Sequence, residues 1–488
     1  MQVNLGNLTQ ATVDSQPRIH CSLCGIEYKD LLERLLFICQ QIHVMNDTHA
    51  SAFYHFNNYL GKLGEKQFTQ IHHNAESGIS QDKEKWKVIE SIADAILQRD
   101  GSQPFSEVRL RDLQALQLTV SSLYHQMSTS FLGISQFPQV ARWGKGNEDL
   151  YNSHMSFECN DQEVQLDLLT FPAVYRTHGV LAWSTLAHEV GGHSLFRALP
   201  GLKEELLKVV EATVKTEFDD TNIDVVVEYF KSCVEEITSD ILSTLNIGPS
   251  GGVALIGYLR SQEQSNKLSC VGRWPERGED VHPIPVLRAY AACKVIEFMG
   301  SGSSWVPLLE TEIAKDHAGI SKMSFHNIQM DLKQAGQIHF ASVLFKAITA
   351  AIATTKLKCL NGKLLLDLIQ WKEKDELAVL KVRSALRDGK NFPGGACFSR
   401  HILAAAILES VDSASQLSIT AIFEKMKEYL RDASQTTNTG LTRVLYSSAE
   451  GAQSPSISAA AAAAAVVSKP QPSKTALPQA AAPAPKRE

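Results

Sequence analysis

The chain has 488 residues, 44% of them hydrophobic and 20% charged, with 47 Lys and Arg against 53 Asp and Glu for a formal net charge of −6. That balance gives no basic stripe for nucleic acid or for an anionic membrane surface, and the length allows two or three packed sub-regions around a buried core. Nine cysteines, an odd number scattered through the chain, suit reduced thiols in a cytosol-like compartment better than a disulfide framework.

Residues 1–20 carry no basic segment followed by an apolar core, so they read as a flexible N-terminus without a secretory leader. No uninterrupted apolar run reaches membrane-spanning length. The most hydrophobic stretch, 339–357, contains Lys346 and reads as a buried helix, so a cytoplasmic protein without a membrane partner is expected. His20-Cys21-Ser22-Leu23-Cys24 is a single C-x-x-C with an adjacent His. A zinc knuckle needs a second ligand pair at short range; none follows, which leaves two free thiols. From 21 to 141 the pattern is that of an α-helical layer. Leu31, Leu32, Leu35, Leu36 and Cys39 form one stripe, Trp86, Ile89, Ile92, Ala93 and Ile96 a second, and a third helix is expected over 110–131. The histidines of this layer share no ligand spacing.

The character changes at Arg142, where a region running to residue 300 begins. Segments 155–159 and 163–171 are strand-like, and Asn160-Asp161 supplies turn chemistry between them, which predicts a β-hairpin. A hairpin here either caps the core or offers an edge strand on which an extended peptide can pair. A helix over 177–198 follows, stopped by Pro200-Gly201, and it contains His188-Glu189-Val190-Gly191-Gly192-His193. In H-E-x-x-H the two imidazoles sit one turn apart on one face and bind zinc, with the Glu as general base. Here there is one residue more. Five residues of α-helix rotate about 500°, leaving the imidazoles about 140° apart. A local π-bulge absorbs the extra residue, and Gly191-Gly192 lie where that distortion is needed.

After a helix over 202–218, Asp219-Asp220-Thr221-Asn222 offers N-cap chemistry for a long helix. Its core seam is Ile223, Val226, Val227, Phe230, Val234, Ile237, Ile241 and Leu245, and beside it runs a second stripe of Tyr229, Cys233, Glu236 and Asp240. Carboxylates bordering a buried face are costly unless paired or bound to a metal. Glu236 is therefore the natural third ligand, leaving a fourth position for water as a catalytic zinc site requires. Asp240, one turn on, can accept the second ring N–H of a ligand His and fix its tautomer.

These residues resemble the gluzincin dipeptidyl peptidase III family, which carries H-E-x-x-G-H followed by E-E-x-x-x-E. This chain reads His188-Glu189-Val190-Gly191-Gly192-His193, then Glu235-Glu236-Ile237-Thr238-Ser239-Asp240, with Asp in place of the last Glu. The resemblance spans roughly 185–245. It implies one zinc per chain on His188, His193 and Glu236, Glu189 as general base, Asp240 and Glu235 as supporting carboxylates, and a peptide substrate.

Asn246-Ile247-Gly248-Pro249-Ser250-Gly251-Gly252 lacks the Lys of a phosphate loop and reads as a tight helix–helix corner. In Asp280-Val281-His282-Pro283-Ile284-Pro285 two prolines pin His282 in an extended segment. His282 is the leading candidate for stabilising an oxyanion opposite the metal, ahead of Tyr290 and Arg288; a structural His in a Pro-rich turn is the alternative. From 301 to 447 helices are expected near 306–314, 326–355, 364–386, 399–413 and 419–433, with His401 structural. Residues 448–488, rich in Ala, Pro and Ser, lack the bulky apolar residues of a core and read as a disordered tail.

The chain is thus expected to be mainly α, a multi-helix zincin-like metallohydrolase with a small β-hairpin before the metal helix, and most readily a peptidase. A helical non-haem iron or di-iron oxidase would want two Glu-x-x-His pairs and four carboxylates, and no such doublet is present. A non-catalytic protein with a structural metal would close its site with a fourth ligand, for which Cys233 is placed one turn before Glu236.

Overall fold

The computed structural model describes residues 4–16, 28–29, 31–35, 37, 50–99, 106–128, 139–144, 150–159, 162–218, 223–271, 282–300, 302–318, 322–325, 328–331, 337–394 and 397–438. The Cys21/Cys24 pair, the Asn160-Asp161 turn, the 219–222 cap and the 448–488 tail lie outside them. The chain divides into the units Met1–Ser434 and Gln435–Glu488; among the described residues, every element lies in the first except the end of the last helix.

The fold is mainly helical. In order come α1 (Leu8–Asp14), α2 (Ala50–Glu76), α3 (Ser80–Leu97), α4 (Ser106–Ser128), the strands β1 (Gln139–Trp143), β2 (Tyr151–Cys159) and β3 (Gln162–Phe171), and a continuous helix α5 over 185–198. Then follow α6 (Leu202–Glu217), α7 (Ile223–Ser232), α8 (Val234–Ile247), α9 (Pro249–Ser261), α10 (Pro285–Glu297), α11 (Gly302–His317), β4 (Lys322–Phe325), β5 (Ile328–Asp331), α12 (Gln337–Thr354), α13 (Glu373–Arg387), α14 (Ser399–Val411) and α15 (Ile419–Asn438). Among the described residues no helix is long and apolar enough to cross a membrane.

The expected hairpin is β2–β3, antiparallel from Tyr151↔Thr170 to Cys159↔Gln162. A third strand joins it: β1 runs parallel to β3, Gln139↔Asp167 to Trp143↔Phe171, giving the order β1-β3-β2 with β2 at an edge. Side chains alternate across a sheet with period two. Leu166 and Leu168 therefore share one face with Val140, Met155 and Phe157, and these bury against Phe53, Phe56 and Leu60 of α2 and Ile89, Ile92 and Ile96 of α3. Leu169, Phe171, Ala141 and Trp143 take the other face and join the main core with Trp183, Leu186 and Val190. The sheet separates the first helical layer from the helix that carries the histidines. Both faces are covered, so that even the polar Asp167 and Thr170 of β3 are fully buried.

Four expected helices differ in detail. The 177–198 helix begins only at Thr185, after short 3-10 turns at Ala173–Arg176 and Ala182–Ser184. The long helix from Ile223 breaks at Cys233, whose φ/ψ of −91°/5° is not helical, into α7 and α8. The helix expected over 326–355 starts at Gln337, because Lys322–Phe325 and Ile328–Asp331 pair as the antiparallel strands β4 and β5, from Lys322↔Asp331 to Phe325↔Ile328. Met323, Phe325, Ile328 and Met330 carry a strand-like spacing that a search for helical stripes overlooks. Within 364–386 only a 3-10 turn, Leu365–Asp367, precedes α13. The Gly-Pro corner between α8 and α9 is tight as expected: Gly248 has φ 72°, and a Cβ there would lie 2.2 Å from the Trp371 indole.

Candidate metal centre

The π-turn anticipated between the histidines is present. Helix α5 is α-helical over Thr185–His188, π-helical over Glu189–His193 and α-helical again over Ser194–Ala198. The wider turn brings the two imidazoles onto one face, with ring centroids 5.2 Å apart. Leu186, Ala187, Val190 and Leu195 fasten the helix in the core. Gly192 marks the crossing with α8: a Cβ there would lie 2.5 Å from Ser239 Cα and 2.2 Å from its Cβ. The helices approach this closely only because the position has no side chain. Gly191 is under no such pressure, its nearest neighbour for a Cβ being 3.8 Å away.

That crossing delivers Glu236 to the histidines. His188 Nε2 stands 3.2 Å from Glu236 Oε2, and His193 Nε2 stands 3.2 Å from Oε1. Glu236 is 2% exposed, yet neither carboxylate oxygen has a hydrogen-bond partner. A buried carboxylate without hydrogen bonds is expensive. A divalent ion would offset this cost, since ligand atoms about 2.0–2.1 Å from a tetrahedral zinc are about 3.3 Å from each other. The donor set and the spacing fit zinc. Glu189 also offers an oxygen within 4.8 Å of both imidazole nitrogens, so two carboxylates, Glu236 and Glu189, border the histidine pair.

A chain of polar contacts fixes His188. Its Nδ1 lies 2.9 Å from Asp240 Oδ1. Arg288 of α10 clamps Asp240 by Nε to Oδ2 at 2.7 Å and by a terminal nitrogen to Oδ1 at 2.8 Å. With a cation bound, a ring proton committed to Asp240 would leave Nε2 as the lone pair on the Glu236 side. Burial alone would raise the Glu236 and Asp240 carboxyls. Charge from His188 in the first case and Arg288 in the second overcomes it, and holds Glu236 well below and Asp240 below the usual carboxylate range. Burial alone would likewise lower His188, but the Glu236 and Asp240 carboxylates push it up to about 10. His188, Glu236 and Asp240 thus each favour their charged form.

Beneath the π-turn the sheet presents a polar seat. Asn152 of β2 donates from Nδ2 to the Glu189 carbonyl at 3.1 Å and to Ser194 Oγ at 2.9 Å. Ser194 donates to Asp167 Oδ2 at 2.8 Å, and Gln139 of β1 donates to the same oxygen at 2.8 Å. His154 lies opposite, its Nδ1 2.9 Å from Asp167 Oδ1. Burial works against the Asp167 carboxylate, but His154, Arg197, Gln139 and Ser194 together bring its pKa below the ordinary value. The seat orients the π-turn from the side opposite α8.

His188, Glu189, His193, Glu236 and Asp240 are thus brought together, and so is His282, whose Nε2 lies 3.1 Å from Glu236 Oε2. Glu235 is not: one residue along the helix it turns outward and pairs with Lys203 at 2.7 Å. Arg288 is engaged with Asp240, and Tyr290 Oη lies 3.0 Å from His317 Nε2. Cys233 is buried, with its Sγ 3.9 Å from Ser232 Oγ, and burial pushes its thiol up to about 12. Sequence reasoning missed Asn152, Asp167 and Gln139, which carry no motif. Ser194, directly after the second histidine, was the one visible cue. Set against models of protein families, curated proteins and solved structures, the chain matches none of them.

Proposed function

We propose that the chain is a zinc-dependent hydrolase of gluzincin type that cleaves peptide bonds, with one zinc per chain on His188, His193 and Glu236. The observation that carries this reading is the Glu236 carboxylate, buried without a hydrogen-bond partner and flanked by two imidazole nitrogens at 3.2 Å. When bound, the ion supplies positive charge that polarises a carbonyl and makes a water more acidic. The remaining work falls to the chain's own groups. Asp240 keeps the His188 proton on Nδ1, and Arg288 keeps Asp240 in place. Glu189, buried and close to both imidazoles, accepts a proton from the attacking water on a carboxylate oxygen and returns it to the leaving amine.

The placement of β2 supports a peptide substrate. It is an edge strand of its sheet and touches the π-turn through Asn152, so an extended chain pairing on it would run beside Glu189. The motif order, an expanded H-E-x-x-G-H helix followed by a Glu-bearing helix, supports the gluzincin assignment over the oxidase alternative, which needs four carboxylates.

The test is hydrolysis of a mixed peptide library by wild type and Glu189→Gln, with zinc measured on both. Glu189→Gln keeps size and shape but removes the proton acceptor. Turnover should fall by roughly 10²–10⁴ with metal content unchanged. Wild-type turnover in Glu189→Gln would end the hydrolase reading.

A further inference from the structure

We propose that His282 is itself a ligand of the bound ion, so that the resting site holds it with three imidazoles and one carboxylate. This rests on the metal-hydrolase reading above and departs from the oxyanion role that the sequence suggested for His282. Glu236 is the hub of the geometry. The Nε2 atoms of His188, His193 and His282 lie 3.2, 3.2 and 3.1 Å from its carboxylate oxygens. Each contact is an ion pair only if the imidazole is protonated, and three imidazolium rings around one buried carboxylate would repel one another. A cation held jointly by the three nitrogens and the carboxylate needs none of those protons. The nitrogen–oxygen spacings match the edge of about 3.3 Å between ligands of a tetrahedral ion.

The backbone holds His282 where this role needs it. Pro283 and Ile284 are buried, and the Ile284 amide donates to Tyr229 Oη at 3.0 Å, tying the segment to the core on the side from which Glu236 projects. The His282 side chain is 50% exposed, whereas those of His188 and Glu236 are 9% and 2% exposed. It therefore forms the solvent-facing corner of the set, the corner through which water and substrate arrive. In the hydrolase reading, His282 would be the ligand whose place a water takes.

X-ray absorption of the zinc-loaded full chain counts the imidazoles directly. Three are expected in wild type and two in His282→Ala, and chelator competition should show zinc bound at least about 10-fold more weakly in the variant, since even an outer hydrogen-bond partner of a ligand is worth 10–100-fold. Circular dichroism should be unchanged for this half-exposed position, and His73→Ala, an exposed helix position, should alter neither readout. Two imidazoles and equal affinity in wild type and His282→Ala would overturn the proposal while leaving the His188, His193, Glu236 set intact. A wild type that binds no zinc, or zinc retained by His193→Ala, would overturn the site reading and this inference with it.

Discussion

Replacing Gly192 by alanine perturbs the helix crossing on which the whole site depends. The new Cβ would lie 2.5 Å from Ser239 Cα and 2.2 Å from its Cβ, whereas carbon atoms settle at about 3.5–4.0 Å. Helices α5 and α8 must separate by about 1 Å to admit it. Glu236 sits one turn before Ser239 on α8, so the same movement draws its carboxylate away from the imidazoles, and metal–ligand distances tolerate only about 0.2 Å. Overpacking of this kind costs about 1–3 kcal/mol, of which the helix propensity of Ala over Gly returns up to about 1 kcal/mol. We expect a net loss of about 1–2 kcal/mol together with a clear drop in zinc affinity. Gly191→Ala is the control. Its Cβ would meet nothing closer than 3.8 Å, so it keeps the propensity gain and should equal or exceed wild type in stability at unchanged zinc affinity. Urea unfolding and chelator competition on both variants decide the matter. A Gly192→Ala protein with wild-type stability and zinc affinity would refute the crossing argument, as would a Gly191→Ala protein that loses zinc.

Asp240→Ala should lower zinc affinity about 10–100-fold by freeing the His188 ring, read by competition with a chelator; unchanged affinity would remove Asp240 from the site. Arg288→Met leaves the buried Asp240 carboxylate without its bidentate partner, and should cost about 3–5 kcal/mol in urea unfolding. His401 predicts a pH effect of its own. Its Nδ1 accepts from the Phe398 amide at 3.0 Å and its Nε2 lies 2.9 Å from Asp375 Oδ1, so the folded ring is neutral with its proton on Nε2. Burial, aided by Arg400, outweighs Asp375 and lowers its pKa below 6.5. The unfolded chain therefore takes up the proton first as pH falls. Stability from this group is complete above about pH 7 and declines as pH drops through about 6.5 toward the folded value. His401→Gln keeps an N3 side chain able to reach the cap and should flatten that decline in melts between pH 7.5 and 5.

Much of the site was legible because its chemistry is written at helical spacing. His188 and His193 are five apart with two glycines between, which required a π-turn, and Glu236 and Asp240 lie one turn apart beside an apolar seam. The purpose of Gly192 was not legible. Its reason is the Ser239 backbone on another helix, not the distortion of its own. Arg288 was visible as a cation near Pro285, but only the packing of α10 on α8 shows that it holds Asp240. The polar seat was hidden further, since Gln139 reaches Asp167 through a parallel strand pairing that no local pattern announces. The same limit accounts for the fold. The β2–β3 hairpin follows from adjacent segments, whereas β1 joins across an intervening strand, and β4–β5 was obscured by the apolar helix that follows it. Glu235 illustrates a simpler ambiguity. Two adjacent glutamates on a helix point about 100° apart, and only burial shows which one faces the histidines.

Elemental analysis of the full chain purified without added metal tests the central claim most directly. The account predicts one zinc per chain in wild type and its loss in His193→Ala and Glu236→Ala. Two irons per chain, or zinc that survives both substitutions, would contradict it.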